Sequence, residues 1–133
     1  MRMRDALQIA DTDLVWEILR LHSANDEPIS IQRAMIPIKL MPNLDQKDLE
    51  DSLYKIWKTE YQLTPDRGEQ TIRTRLPLDD EMKMLQIDKE NPVFEIIRVT
   101  YSQQDIPIEY LKSIWRGDRY DFSVNLSSDS PYR

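Results

Sequence analysis

Apolar and polar positions alternate in two long stretches that resemble each other. Residues 14–22 read Leu-Val-Trp-Glu-Ile-Leu-Arg-Leu-His, rich in β-branched and aromatic side chains, and run into the turn cluster Ser-Ala-Asn-Asp-Glu-Pro. Residues 29–36 mix apolar and polar side chains until Pro37 closes them. This pattern predicts a strand-turn-strand hairpin. The second half repeats it: Phe94-Glu95-Ile96-Ile97-Arg98-Val99 parallels Trp16-Glu17-Ile18-Leu19-Arg20-Leu21. Gln103-Gln104-Asp105-Ile106-Pro107-Ile108 parallels Asn25-Asp26-Glu27-Pro28-Ile29, with one extra residue in the second turn. Two hairpins of one design predict a single antiparallel sheet with pseudo-symmetry; coincidence between two amphipathic hairpins is the alternative.

Between the hairpins, Leu49, Leu53, Ile56 and Trp57 recur at helical spacing, predicting an amphipathic helix over 44–61 with its apolar stripe on the sheet. Asp45, Asp48 and Asp51 crowd its start, where acids suit the helix dipole and can cap. Residues 64–68 read as a loop and 69–77 as a strand. Asp79 is placed to cap a short helix over 80–85, and Asn91-Pro92 turns the chain into the next strand. Residues 107–116 form the long strand of the second hairpin, stopped at Gly117. Residues 120–126 alternate as a last strand, and the polar tail from Ser127 is expected to fray. The order ββαβαβββ predicts an α+β domain, with helices on one face of an antiparallel sheet. The other face must be covered or used.

Composition narrows the function classes. The 133 residues suit one domain, and 40% hydrophobic with 32% charged residues fits a globular chain rather than a disordered one. No apolar run approaches the ~20 residues a membrane span needs, and Met1-Arg2-Met3-Arg4-Asp5 has no apolar core of a signal peptide. The lack of cysteine excludes disulfides and thiolate chemistry and fits a cytoplasmic protein. A net charge of -6 is repelled by phosphate backbones, so this chain alone is a poor nucleic-acid binder.

Strand alternation sorts the polar side chains. Trp16, Ile18, Arg20 and His22 share a face of the first strand; Ser30, Gln32, Ala34 and Ile36 share a face of the second. In the long strand Pro107, Glu109, Leu111, Ser113 and Trp115 share one face, and Ile106, Ile108, Tyr110, Lys112, Ile114 and Arg116 the other, unless bulges intervene. Arg20, His22, Gln32, Glu109, Ser113 and Trp115 can therefore converge. A guanidinium and an imidazole bind anions, a carboxylate and an amide bind hydroxyl or amino groups, and an indole supplies a flat wall. The alternative is a solvated rim on an exposed sheet face. No histidine-carboxylate cluster has metal-ligand spacing, and no nucleophile or phosphate-loop motif is present, so neither a metal, a cofactor nor catalysis is expected. Arg116-Gly117-Asp118 reads as a strand-ending turn, with Gly117 supplying a permissive backbone and Asp118 pairing locally, rather than as an adhesion tripeptide.

The ordered series Asp26-Glu27-Pro28-Ile29, Ile36-Pro37, Asp51-Ser52-Leu53-Tyr54, Pro107-Ile108-Glu109-Tyr110 and Ser113-Ile114-Trp115-Arg116-Gly117-Asp118-Arg119-Tyr120 resembles the UTRA domain. This is the effector-binding domain of the HutC branch of GntR-family bacterial transcription regulators. The likeness covers 14–126, leaving 1–13 as an extension or truncated domain start and 127–133 as a tail. It implies a chorismate-lyase-like fold, a ligand pocket without catalysis, and a homodimer. It also implies operator binding only through a winged helix-turn-helix domain that this chain does not contain. By position, the family's anion-binding arginine is Arg20, and His22 stands where a second arginine is common, which weakens a phosphate clamp or makes it pH-dependent. Ser52 and Tyr54 match an anion-holding helix start, Glu109 the glutamate of the long strand, and Trp115 an aromatic that is often tyrosine. Gln32 stands where sugar-phosphate sensors carry glutamate. The implied ligand is a small anionic metabolite such as a sugar phosphate. A chorismate-lyase-type enzyme and a dimerisation module with a degenerate pocket are the other readings.

Overall fold

A computed structural model describes residues 2–47, 49 and 52–127. The elements run α1 (Met3–Leu7), β1 (Val15–Ala24), β2 (Glu27–Pro37), a 3-10 turn (Leu44–Gln46), α2 (Leu53–Tyr61), β3 (Pro65–Arg75), α3 (Asp79–Leu85), β4 (Val93–Ser102) and β5 (Pro107–Arg116). The strands form one antiparallel sheet in the order β1-β2-β5-β4-β3. The two similar hairpins are therefore β1–β2 and β4–β5, joined along the β2–β5 seam by a pseudo-twofold relation. Asn25 and Asp26 turn the first hairpin with φ of 52° and 63°, a backbone that matches the twist of paired strands. In the longer second turn, the Ser102 hydroxyl accepts from the amides of Gln104 and Ile106.

Helices lie on both faces of the sheet rather than on one. α1 seats Ala6 and Leu7 on Val99, Tyr101 and Tyr110, and α3 seats Leu85 on Ile31, Val93 and Ile114. On the opposite face α2 buries Ile56 and Trp57 with Ile36, Met41, Leu44 and Ile108. That face is filled at one end only, and the remainder forms the site described below.

Several elements differ from the sequence expectation. The single helix over 44–61 is a 3-10 turn followed by a shorter α2, whose start is capped by the Ser52 hydroxyl accepting from the Lys55 amide at 3.4 Å. Asp45 sits in the 3-10 turn; Asp48 and Asp51 lie outside the described residues. The loop expected over 64–68 is already strand, with Pro65 starting the edge strand β3, where a missing donor is tolerated. Asp79 does not cap α3. Leu78 occupies that position, its amide donating to the Glu81 carboxylate at 2.9 Å while Arg75 holds the carboxylate from outside. Residues 120–127 form no strand, and Phe122, Val124 and Leu126 are exposed. A bulge at Thr100/Tyr101 turns Ile108 onto the α2 face, away from Tyr110.

Gly117 is needed for close approach rather than for a left-handed backbone. Its amide donates to the Pro92 carbonyl at 2.9 Å, and a Cβ there would lie 2.6 Å from that oxygen. Beside it Arg116 is fastened to Asp118 at 2.9 Å and to Glu27 at 3.0 Å, so the local pairing read for Asp118 is present. Gly117→Ala is expected to cost about 1–3 kcal/mol through overpacking. Urea unfolding of the variant measures this, and an unchanged midpoint would show that the turn can yield.

Candidate functional site

The sheet register aligns polar residues in rungs across the uncovered face. One rung runs Arg20, Gln32, Ser113, Ile96, Ile72, and the next runs Ile18, Ala34, Leu111, Arg98, Gln70. On the outer side of the first rung lie His22, Ser30, Trp115 and Phe94, and Glu109 pairs with Thr100 one rung beyond Leu111. The start of α2 brings Ser52, Leu53 and Tyr54 over this floor, enclosing a cavity of about 390 Å³. Arg20, Gln32, Ser52, Tyr54, Glu109 and Trp115 all line it, as does Ser113. Alternation alone brings the strand members together; the helix pair arrives through the packing of Trp57, whose ring lies 4.8 Å from that of Tyr54.

His22 does not line the cavity. It lies on the same face but is exposed, beside the His22/Ser23 register shift, its ring centroid 6.3 Å from Trp115. Trp115 instead meets Tyr120 at 4.6 Å, and Tyr120 also closes on Phe94 at 5.9 Å. The segment read as a last strand thus contributes a wall side chain at its first residue.

Glu109 is the electrostatic centre of the site. It is 3% exposed, and its buried Oε1 has no hydrogen-bond partner among the described residues. Desolvation pushes its carboxyl up to about 7, against the attraction of Arg98 and then Arg20. Arg20 donates through Nη2 to the Leu49 carbonyl at 2.5 Å, and Arg98 donates through Nε to Gln70 Oε1 at 3.0 Å. A guanidinium on either side of a buried acid with a spare acceptor can take an anion together with a hydroxyl or ammonium donor. Among the described residues no group of three or more His, Asp or Glu side chains is placed to hold a metal ion.

Arg98, Gln70, Ile96 and Tyr120 escaped the sequence reading, whereas Leu111 was placed on the right face. For Arg98 a signal existed: the internal repeat sets it at the position of Arg20. Gln70 had none, because its face is fixed only by pairing with β4.

The family model of the UTRA domain matches residues 2–121. The chain belongs to the UTRA domain family. Its relatives include the HTH-type transcriptional repressor NagR of Bacillus subtilis, 32% identical over 108 residues, which cover 81% of this chain and 44% of that protein. Another is the mannosyl-D-glycerate transport/metabolism system repressor MngR of Escherichia coli, 25% identical over 122 residues, covering 92% of this chain and 51% of that one. The crystal structure of the effector domain of PhnF from Mycobacterium smegmatis superposes with a TM-score of 0.88 at 28% identity, over 95% of this chain and 78% of that one. This UTRA domain spans about half the length of the curated relatives it matches. Its α+β sheet flanked by helices is the architecture that the resemblance implied. The relatives carry the names of transcription regulators, in agreement with a regulatory domain rather than an enzyme. Among the described residues no helix is long and apolar enough to cross a membrane.

Proposed function

We propose that this UTRA domain is the effector-binding part of a HutC-type transcription regulator that works in the bacterial cytoplasm as a homodimer. Its cavity takes a small polyhydroxylated anion of the sugar-phosphate class. Operator DNA is read by a winged helix-turn-helix domain elsewhere in the full protein, and occupancy of the cavity modulates that reading. The observation that carries this is the buried carboxylate of Glu109, with an unpartnered oxygen, in one cavity with two guanidinium groups. Such an acid is costly in an empty site and is satisfied by a ligand donor. Arg20 supplies charge and a fork, Ser52 a hydroxyl near the start of α2, Gln32 a neutral amide, and Trp115 and Tyr54 flat walls. One relative is named for a mannosyl-D-glycerate system, and mannosyl-D-glycerate is likewise a polyhydroxylated anion, with a carboxylate in place of a phosphate.

Calorimetry against sugar phosphates and sugar acids tests the reading. Arg20→Ala should weaken every detected anion at least about tenfold, the loss of one charge-assisted hydrogen-bonding group. Unchanged affinities would place the site elsewhere.

A further inference from the structure

The internal repeat puts an arginine at the same position of each hairpin, Arg20 on β1 and Arg98 on β4. β2 and β5 lie between them, so their strands stand three spacings apart, about 14 Å, and the two residues sit on adjacent rungs. Each is held by a different neutral partner. Arg20 donates to the Leu49 carbonyl, and Arg98 is drawn by Gln70 toward β3, on the far side from β5.

These two arginines depart from the pattern of the sheet. Arg33, Arg67, Arg73, Arg75 and Arg116, the other arginines on strands, are each ion-paired to a carboxylate. Arg20 and Arg98 make no such pair among the described residues, and both line the cavity. The terminal nitrogens of Arg98 carry no hydrogen bond there, while its Nε is fixed by Gln70. That leaves one edge of the fork available. The floor between the two poles mixes apolar Ile96, Leu111 and Ala34 with the polar groups of Gln32, Ser113 and Glu109.

We infer that Arg98, oriented by Gln70, is a second anion-recognition pole, so the cavity selects a ligand with an acidic group at each end of a polar chain. Arg20 takes one group, Arg98 the other, and Glu109 accepts from a hydroxyl or ammonium between them. The inference rests on the effector-binding reading and narrows it from an anion to a doubly acidic one. A ligand with one acidic group forgoes a charge-assisted contact with one guanidinium that a doubly acidic ligand makes.

Three probes of equal carbon length separate the possibilities: gluconate, glucose 6-phosphate and 6-phosphogluconate, titrated calorimetrically at fixed pH and salt. The doubly acidic probe should bind at least about tenfold tighter than either singly acidic one, the effect of a second charge-assisted contact. In Arg98→Ala that preference should collapse to within about twofold. Gln70→Glu, on an exposed edge position, should collapse it as well by occupying Arg98 with an internal carboxylate, without deleting the arginine. A preference that survives both variants overturns the second pole. Singly acidic probes that bind through Arg20, with no preference for the doubly acidic one, overturn this inference and leave the effector-binding reading standing. No binding by any of the three overturns both.

Discussion

Glu109→Gln is expected to stabilise the ligand-free domain by about 3 kcal/mol at pH 8 while changing it little near pH 4.5, since each pKa unit corresponds to about 1.4 kcal/mol. Burial raises the folded carboxyl from 4.5 to about 7. Below 4.5 the acid is protonated in both states and burial carries no charge penalty. Between those values the unfolded chain releases its proton and the folded chain keeps it, so stability falls as pH rises. Above about 7 both are ionised and the penalty is constant. Glutamine keeps the shape and does not titrate. Asp13, Glu27 and Asp118, held below the ordinary carboxylate range by hydrogen bonds from Lys39, Arg119 and Arg116, lose their contributions only in acid and do so in both proteins. Urea unfolding of both proteins at pH 5 and pH 8 reads the difference. An advantage of equal size at the two pH values would mean that Glu109 is already ionised without cost. The same variant should bind sugar anions more weakly, because a carboxylate acceptor is lost. Stability and function therefore oppose each other at this residue.

Trp57→Ala is expected to cost about 3–5 kcal/mol, the range for deleting a large buried aromatic side chain. Trp57 is 0% exposed at the centre of the cluster formed by Ile36, Met41, Leu44, Ile56 and Ile108. Domains of this size have total stabilities of roughly 5–15 kcal/mol, so the variant forfeits a third or more of a typical value. Trp57→Phe should cost much less, because the buried indole N–H has no partner among the described residues and its removal relieves that penalty. The alanine variant should also bind ligand poorly, since Tyr54 rests on Trp57 and the start of α2 roofs the cavity. A loss below about 1 kcal/mol in chemical denaturation would show that the cluster can collapse into the vacated space.

The hairpins were legible because each strand keeps its period over many residues and each turn carries its own chemistry. The break between the 3-10 turn and α2 was hidden. Leu44 and Ile56 join the same buried cluster, and Leu49 packs against it, so the apolar spacing runs on while the backbone does not. α1 has five residues, too few to show a period. Residues 120–126 alternate correctly, but alternation cannot say whether a partner edge is available, and among the described residues they pair with none. In the site, Arg20, Gln32, Glu109 and Trp115 were legible from face alone. His22 shares their face, as alternation requires, but its side chain is exposed and stands outside the lining, which a face assignment alone does not reveal. Gln70 depended on long-range register, which a single sequence does not carry. Arg98 was visible only to a comparison of the hairpins residue by residue.

The seam between β2 and β5 gives the cavity a place in the order of folding. Each hairpin closes on a neighbour in the chain, whereas Gln32 and Ser113, paired across the seam, are far apart in sequence. Near contacts form early and distant pairings late. Arg20 and Gln32 belong to one hairpin and Arg98 and Glu109 to the other, so neither hairpin alone carries a binding site. A ligand therefore recognises the finished sheet and adds its binding energy wholly to the native state. The proposed ligand would act as a clasp on the last closure, adding stability that grows with the logarithm of its concentration above its Kd.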